Sequence, residues 1–140
     1  MIVHGVLVAQ QSGGRRRGVL IRGPSGSGNS DLAVRLLDEG YLLVADDQVL
    51  LWTSAGRLFG RAPDALHGLI EVRGLGIRPH TAISFAPVNL IVTLHDRDQI
   101  ARMPEPEHET HLGLNVPVIR LAGFEASTPA KLRRVLMTLG

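Results

Sequence analysis

The sequence predicts an α/β fold, a central β-sheet with flanking helices built around a phosphate-binding P-loop, and three observations carry that prediction. The segment Gly23-Pro-Ser-Gly-Ser-Gly-Asn-Ser30 follows an apolar, β-branched run and opens a stretch with helical spacing. A continuous apolar run, Tyr41-Leu-Leu-Val-Ala45, suits a buried strand and ends at paired carboxylates, Asp46 and Asp47. A chain of 140 residues with 44% apolar residues can build one core without staples, so a single domain over residues 1–140 is expected.

The elements follow in order. Ile2–Val8 and Gly18–Ile21 read as a hairpin whose turn is the Gly- and Arg-rich segment 11–17. Asp31–Glu39 carries Leu32, Ala33, Leu36 and Leu37 on one helical face and stops at Gly40. After Tyr41–Ala45 comes a short strand, Gln48–Trp52. Residues 53–87 hold scattered Gly and Pro with no sustained period and predict no definite element. Val88–Leu94 is a core strand, Arg97–Glu109 an exposed loop or a short irregular connection, and Val116–Leu121 the last strand. Thr128-Pro129 is an N-cap and first-turn pair for a C-terminal helix with Leu132, Val135, Leu136 and Leu139 on one face.

Composition narrows the function classes. There is no cysteine, which excludes disulfides and thiolate metal sites and agrees with a reducing cytoplasm, the expected compartment. No apolar run approaches the roughly 20 residues of a membrane span, and residues 1–10 lack a basic start and a cleavage site, so no membrane association is expected. A net charge of +2 is too small to argue for nucleic acid, and aromatic residues confined to Tyr41, Trp52, Phe59, Phe85 and Phe124 give poor support for a platform that stacks single-stranded nucleic acid, so none is expected. His67, His80, His95, His108 and His111 show no compact ligand spacing beyond the last two, and no zinc is expected. Arg15-Arg-Arg17 reads as a solvated hairpin tip or, alternatively, a phosphate- or partner-binding patch.

The P-loop pattern is G-x-x-x-x-G-K-[ST]; Gly23, Gly28 and Ser30 occupy their places, and Asn29 stands where the lysine belongs. Glycines at 23, 26 and 28 let successive N–H groups turn inward, and the following helix adds its positive end. Neither contribution needs lysine. The whole segment Gly23, Pro24, Ser25, Gly26, Ser27, Gly28, Asn29 and Ser30 is therefore the candidate phosphate site, with the Ser30 hydroxyl placed for Mg²⁺. Lys131 is the only lysine and is remote in sequence, which leaves Arg22 as the nearest cation to the loop. A parallel sheet would bring Asp46 and Asp47 beside the loop, and both face one site only if the backbone turns there.

His4-Gly-Val-Leu-Val8, Gly18-Val-Leu-Ile21, the P-loop, Leu43-Val-Ala-Asp-Asp47 and Ile70-Glu-Val-Arg-Gly-Leu-Gly-Ile77 together resemble the HPr kinase/phosphorylase family, in the family's order. The last segment is a signature that a generic P-loop protein lacks. The resemblance implies the HPr kinase catalytic-domain fold and an ATP- and Mg²⁺-dependent serine kinase acting on the phosphocarrier HPr, reversed by phosphorolysis with inorganic phosphate to give pyrophosphate. It further implies that Asp46 is the catalytic acid/base, that Asp47 and Glu71 join Ser30 in metal binding, and that Arg73 either stabilises phosphate charge or fixes the signature loop as a structural ion pair. His4 would orient Asp46 or contact phosphate, or else pack as a structural histidine. A homo-oligomer is implied, the hexamer being the family's common form. Asn29 for lysine, and the lack of a clear basic Pro-Gly-Arg segment near residue 120, are departures from the family pattern. Two further function classes stay open on the residues: a non-catalytic nucleotide or phosphate sensor that binds a protein, and a small-molecule kinase.

Overall fold

The computed structural model describes residues 1–139. It has eleven strands and two α-helices among them: β1 (Ile2–His4), β2 (Val6–Ser12), β3 (Arg15–Arg22), α1 (Asn29–Asp38), β4 (Leu42–Ala45), β5 (Gln48–Ser54), β6 (Arg57–Arg61), β7 (Leu69–Val72), β8 (Gly76–Pro79), β9 (Ala86–Leu94), β10 (Glu107–His111), β11 (Leu114–Leu121) and α2 (Thr128–Thr138). Nine strands form one sheet in the order β1-β5-β6-β9-β3-β2-β4, with β11 also on β9 and β10 on β11, while β7 and β8 form a separate hairpin. Among the described residues no helix is long and apolar enough to cross a membrane.

Strand alternation builds two cores. Val6 and Val8 of β2 face α1 and α2 with Val19, Ile21, Leu32, Leu36, Leu132 and Leu136, while Leu7 and Ala9 face the other way, onto Val49, Leu51, Leu58, Val116 and Val118. The central strands are thus covered on both sides, which is why β3, β4 and β9 read as continuous apolar runs.

The predicted first strand, 2–8, is two strands. At Gly5 the chain changes partners: Val6 pairs with Ile21 of β3, whereas Ile2, Val3 and His4 pair with Leu50, Val49 and Gln48 of β5. A β-carbon at residue 5 would lie 2.7 Å from the Ile21 carbonyl oxygen, and the Gly5 N–H bonds the Asp47 carbonyl at 3.1 Å. The β2–β3 turn is shorter than predicted. Gly13 and Gly14, at φ 59° and 75°, supply the two positive-φ positions of a tight hairpin turn, and Arg15, Arg16 and Arg17 belong to β3. Arg16 donates to Gln11 Oε1 at 3.0 and 3.1 Å. The arginine triplet sits at the start of β3, roughly 20 Å from the phosphate loop at its end, so it takes no part in that site.

Two other regions depart from the sequence reading. Residues 53–87 contain β6, β7 and β8. In β6 a buried Gly60 stands where alternation demands an apolar side chain, because a β-carbon would come within 2.7 Å of Leu7 and 2.9 Å of Val49. The segment expected to be a loop over 97–109 ends in β10, an edge strand held by polar pairs: Arg120 with Glu107 at 2.8 Å, and Thr110 with Asn115 at 2.7 Å. A strand made of Glu, His and Thr offers no apolar period to read. The α2 N-cap is Ser127, one residue before the predicted Thr128, whose buried hydroxyl instead donates to the Ala122 carbonyl.

Candidate functional site: a phosphate loop facing a buried aspartate

Strand direction places the site. β3 and β9 are parallel, β9 and β11 are parallel, and β4 runs in the same sense as β3 because β2 is antiparallel to both. Four carboxyl ends therefore open on one edge of the sheet, the place where α/β sheets bind ligands. β4 is not the neighbour of β3, as a simple parallel sheet would have it. The intervening β2 leaves the direction unchanged and sets Asp46 two strands from the loop.

The cleft at this edge has a volume of about 430 Å³ and is lined by His4, Ser25, Gly26, Gly28, Asn29, Ser30, Asp46, Asp47, Glu71, Arg73 and Phe124, among others. Gly26 and Gly28 take φ 82° and 103°, conformations that side chains resist, and Gly28 is the N-cap of α1. Gly23, Pro24 and Ser27 do not line the cleft; they shape the loop from behind. The Ser27 N–H bonds the Pro24 carbonyl at 3.0 Å, and a β-carbon on Gly23 would overlap the Ser27 hydroxyl and touch Leu94. Asn29 turns inward: Nδ2 donates to the Gly23 carbonyl at 2.9 Å, and Oδ1 is enclosed with no partner.

Opposite the loop, Asp46 is only 8% exposed. Its Oδ2 accepts the Glu71 N–H at 2.8 Å. Burial raises its carboxyl above the ordinary aspartate range; hydrogen bonds from the Glu71 and Asp47 amides work against that, and the neighbouring charges of Asp47 and Glu71 add to it. Asp47 sits at φ 74°, and this left-handed residue is the backbone turn that lets consecutive aspartates face one cleft. Its Oδ1 lies 3.2 Å from His4 Nε2, with both side chains largely exposed. His4 is thus the partner of Asp47, not of Asp46, and it is no packed core residue.

Glu71, from β7, holds Asp46 through its amide and presents its side chain to the cleft. Arg73, in the β7–β8 turn, lines the cleft and makes no ion pair among the described residues. Its reading as a structural ion pair therefore finds no support. Arg22 is not free to replace the missing lysine, because its guanidinium pairs with Glu109 Oε2 at 2.6 Å. Glu109 also contacts the buried His111 at 2.6 Å, so His111 and the exposed His108 face opposite sides of β10. Lys131 is on α2, paired with Glu125 at 3.2 Å. Sequence reasoning missed Gly123 and Phe124, which follow β11 and close the far side of the loop. Their position at a carboxyl end of a strand parallel to β9 was the available signal.

The sequence model of the HPr Serine kinase C-terminal domain matches residues 1–122. The chain belongs to this family. An HPr kinase/phosphorylase from Mycoplasmopsis pulmonis is 39% identical over 104 residues, covering 69% of this chain and 32% of the relative. One from Clostridium beijerinckii is 48% identical over 75 residues, covering 54% of this chain and 24% of the relative. The chain thus spans a third or less of the length of these HPr kinase/phosphorylases. The solved structure of the HPr(Ser) kinase/phosphatase from Coxiella burnetii superposes with a TM-score of 0.84 over 98% of this chain and 88% of the other, at 24% identity, which establishes the shared HPr kinase fold.

Proposed function

We propose that this chain transfers phosphate between Mg-ATP and a serine hydroxyl of an HPr-like carrier, and catalyses the reverse phosphorolysis. The observation that carries the reading is the buried Asp46, a carboxylate of raised basicity facing a glycine-rich phosphate loop across one cleft. In the forward direction Asp46 accepts the serine proton as the serine oxygen bonds phosphorus and the bond to ADP breaks. In reverse, Asp46 takes the proton of the attacking phosphate as its oxygen bonds the phosphoserine phosphorus and the bond to the serine oxygen breaks; that proton passes to the serine oxygen, and pyrophosphate forms. Ser25, Gly26, Gly28, Asn29 and Ser30 of the loop line the cleft with the unpaired Arg73, and their backbone N–H groups and its guanidinium would stabilise the charge that moves during either step.

Mg²⁺ suits the donor set, since Ser30, Asp47 and Glu71 present hard oxygen ligands to the same cleft. When bound, it supplies neutralisation of phosphate charge. His4, through Asp47, is placed to fix the orientation of that carboxylate.

Asp46→Asn is expected to lower kinase and phosphorolysis rates by at least a hundredfold while nucleotide affinity changes by less than about threefold. The check is single-turnover transfer from ATP to purified HPr, together with equilibrium binding. Unchanged turnover in a folded variant removes Asp46 as the base. The Asn29 latch on Gly23 favours a second reading, a nucleotide or phosphate sensor. Ligand-dependent partner binding without turnover is its signature.

A further inference from the structure

The cleft has one wall that the proposed chemistry does not use. Phe124 stands there, 61% exposed, at the carboxyl end of β11. Its ring tip lies 3.3 Å from where a β-carbon on Gly28 would be, directly against the phosphate loop. We infer that Phe124 is the stacking platform for the base of the nucleotide, which lies across the sheet edge with its terminal phosphate toward Asp46 and its base over the end of β11. The inference rests on the nucleotide reading above and assigns the orientation of the ligand.

The sheet order carries it. Along the edge the strands run β4-β2-β3-β9, with β11 next to β9, so the phosphate loop at the end of β3 lies between Asp46 and Phe124. At about 4.8 Å per strand, each is roughly 10 Å from the loop strand. One side offers carboxylates and Arg73, and the other an aromatic face. A nucleoside triphosphate fits that layout, with its phosphates beside Arg73 and a Mg²⁺ that the carboxylates would hold, and its flat apolar base against the ring.

The backbone on either side of Phe124 is tied down by hydrogen bonds within the fold. Arg35 of α1 donates to the carbonyls of Gly123 and of Glu125, the latter at 3.0 Å, and pairs with Asp31 at 3.0 Å. The buried Thr128 hydroxyl ties down the Ala122 carbonyl. Gly123 packs so closely on the loop that a β-carbon there would overlap the Ser27 carbonyl oxygen. Little backbone ordering at Phe124 is therefore left to oppose stacking.

The test compares Mg-ATP with Mg-tripolyphosphate, which has the phosphates and no base, by calorimetric titration of the protein and of Phe124→Ala, each also carrying Asn29→Lys in a parallel set. Phe124→Ala is expected to weaken ATP about tenfold, or about 1.4 kcal/mol, and to leave tripolyphosphate within about twofold. Phe124→Tyr, which keeps the ring face, is expected to bind ATP as the parent does. Unchanged ATP affinity in Phe124→Ala, or equal weakening of both ligands, overturns the platform. ATP binding no tighter than tripolyphosphate to the parent overturns it while leaving the phosphate loop assigned. Failure of both ligands to bind, with lysine or asparagine at 29, overturns the nucleotide reading as well.

Discussion

An amide donates hydrogen bonds but brings no net charge, and at position 29 it is occupied in bonding the Gly23 carbonyl. A lysine there would place a cation near the β- and γ-phosphates. At about 4 Å and an effective dielectric near 20, that contact amounts to about 4 kcal/mol before desolvation and screening, which bounds its effect on rate at about three decades. Arg22 and Lys131 are tied to Glu109 and Glu125, so neither substitutes, and Arg73 is the cation that lines the cleft. Asn29→Lys is therefore expected to raise phosphoryl transfer to HPr at least tenfold, with weak or absent transfer in the Asn29 chain. Matched single-turnover rates decide it: equal rates at saturating Mg-ATP would show that residue 29 is not the missing electrostatic element.

The phosphate loop works as one piece with the turn between β11 and α2. Gly28, at φ 103°, would carry a β-carbon 3.3 Å from Gly123 and from Phe124. Gly28→Val therefore strains the backbone and forces the turn outward as well as obstructing an anion, so lost phosphate binding in that variant comes with lost stability. Gly123→Ala separates the contributions better, because residue 123 does not line the cleft and its β-carbon meets the Ser27 carbonyl oxygen behind the loop. The expected outcome is a loss of about 1–3 kcal/mol in urea unfolding and a weaker thermal shift with pyrophosphate. A variant with parental stability and parental phosphate response would mean that the turn does not support the loop.

Asp46 couples the site to the stability of the whole molecule. Its folded-state pKa is raised, chiefly by burial, so the native state holds its proton where the unfolded chain has released it. The associated stability is fully present below the ordinary aspartate pKa and is lost as pH rises through the raised value. Asp46→Asn removes that slope. Its unfolding free energy at neutral pH is expected to equal or exceed the parent's, since the amide oxygen can keep the bond from the Glu71 N–H. Glu109 acts in the opposite sense: held low chiefly by Arg22, it contributes stability above the ordinary glutamate pKa that is lost as pH falls through its lowered value. Denaturant titrations of the parent and of Asp46→Asn between about pH 4 and 7 test the assignment, and identical pH slopes would contradict it.

The local features were legible because their causes are local. The apolar runs of β3, β4 and β9, the helical spacing of α1 and α2 and the glycines of the phosphate loop each reflect backbone geometry and burial over a few residues, and the signature around Glu71 and Arg73 marks the family. β10 was hidden because polar cross-strand pairs leave no period, and β6 because Gly60 occupies an apolar position where neighbouring side chains leave no room. Long-range placement settled the rest. The left-handed turn at Asp47 aimed two carboxylates at one cleft, the pairing of Arg22 with Glu109 removed the obvious substitute for lysine, and the parallel course of β11 brought Phe124 against a loop about 100 residues earlier in the chain. Spacing along the chain carries the 2.0 and 3.6 periods of strand and helix, but partner choice depends on distances between segments that only packing establishes.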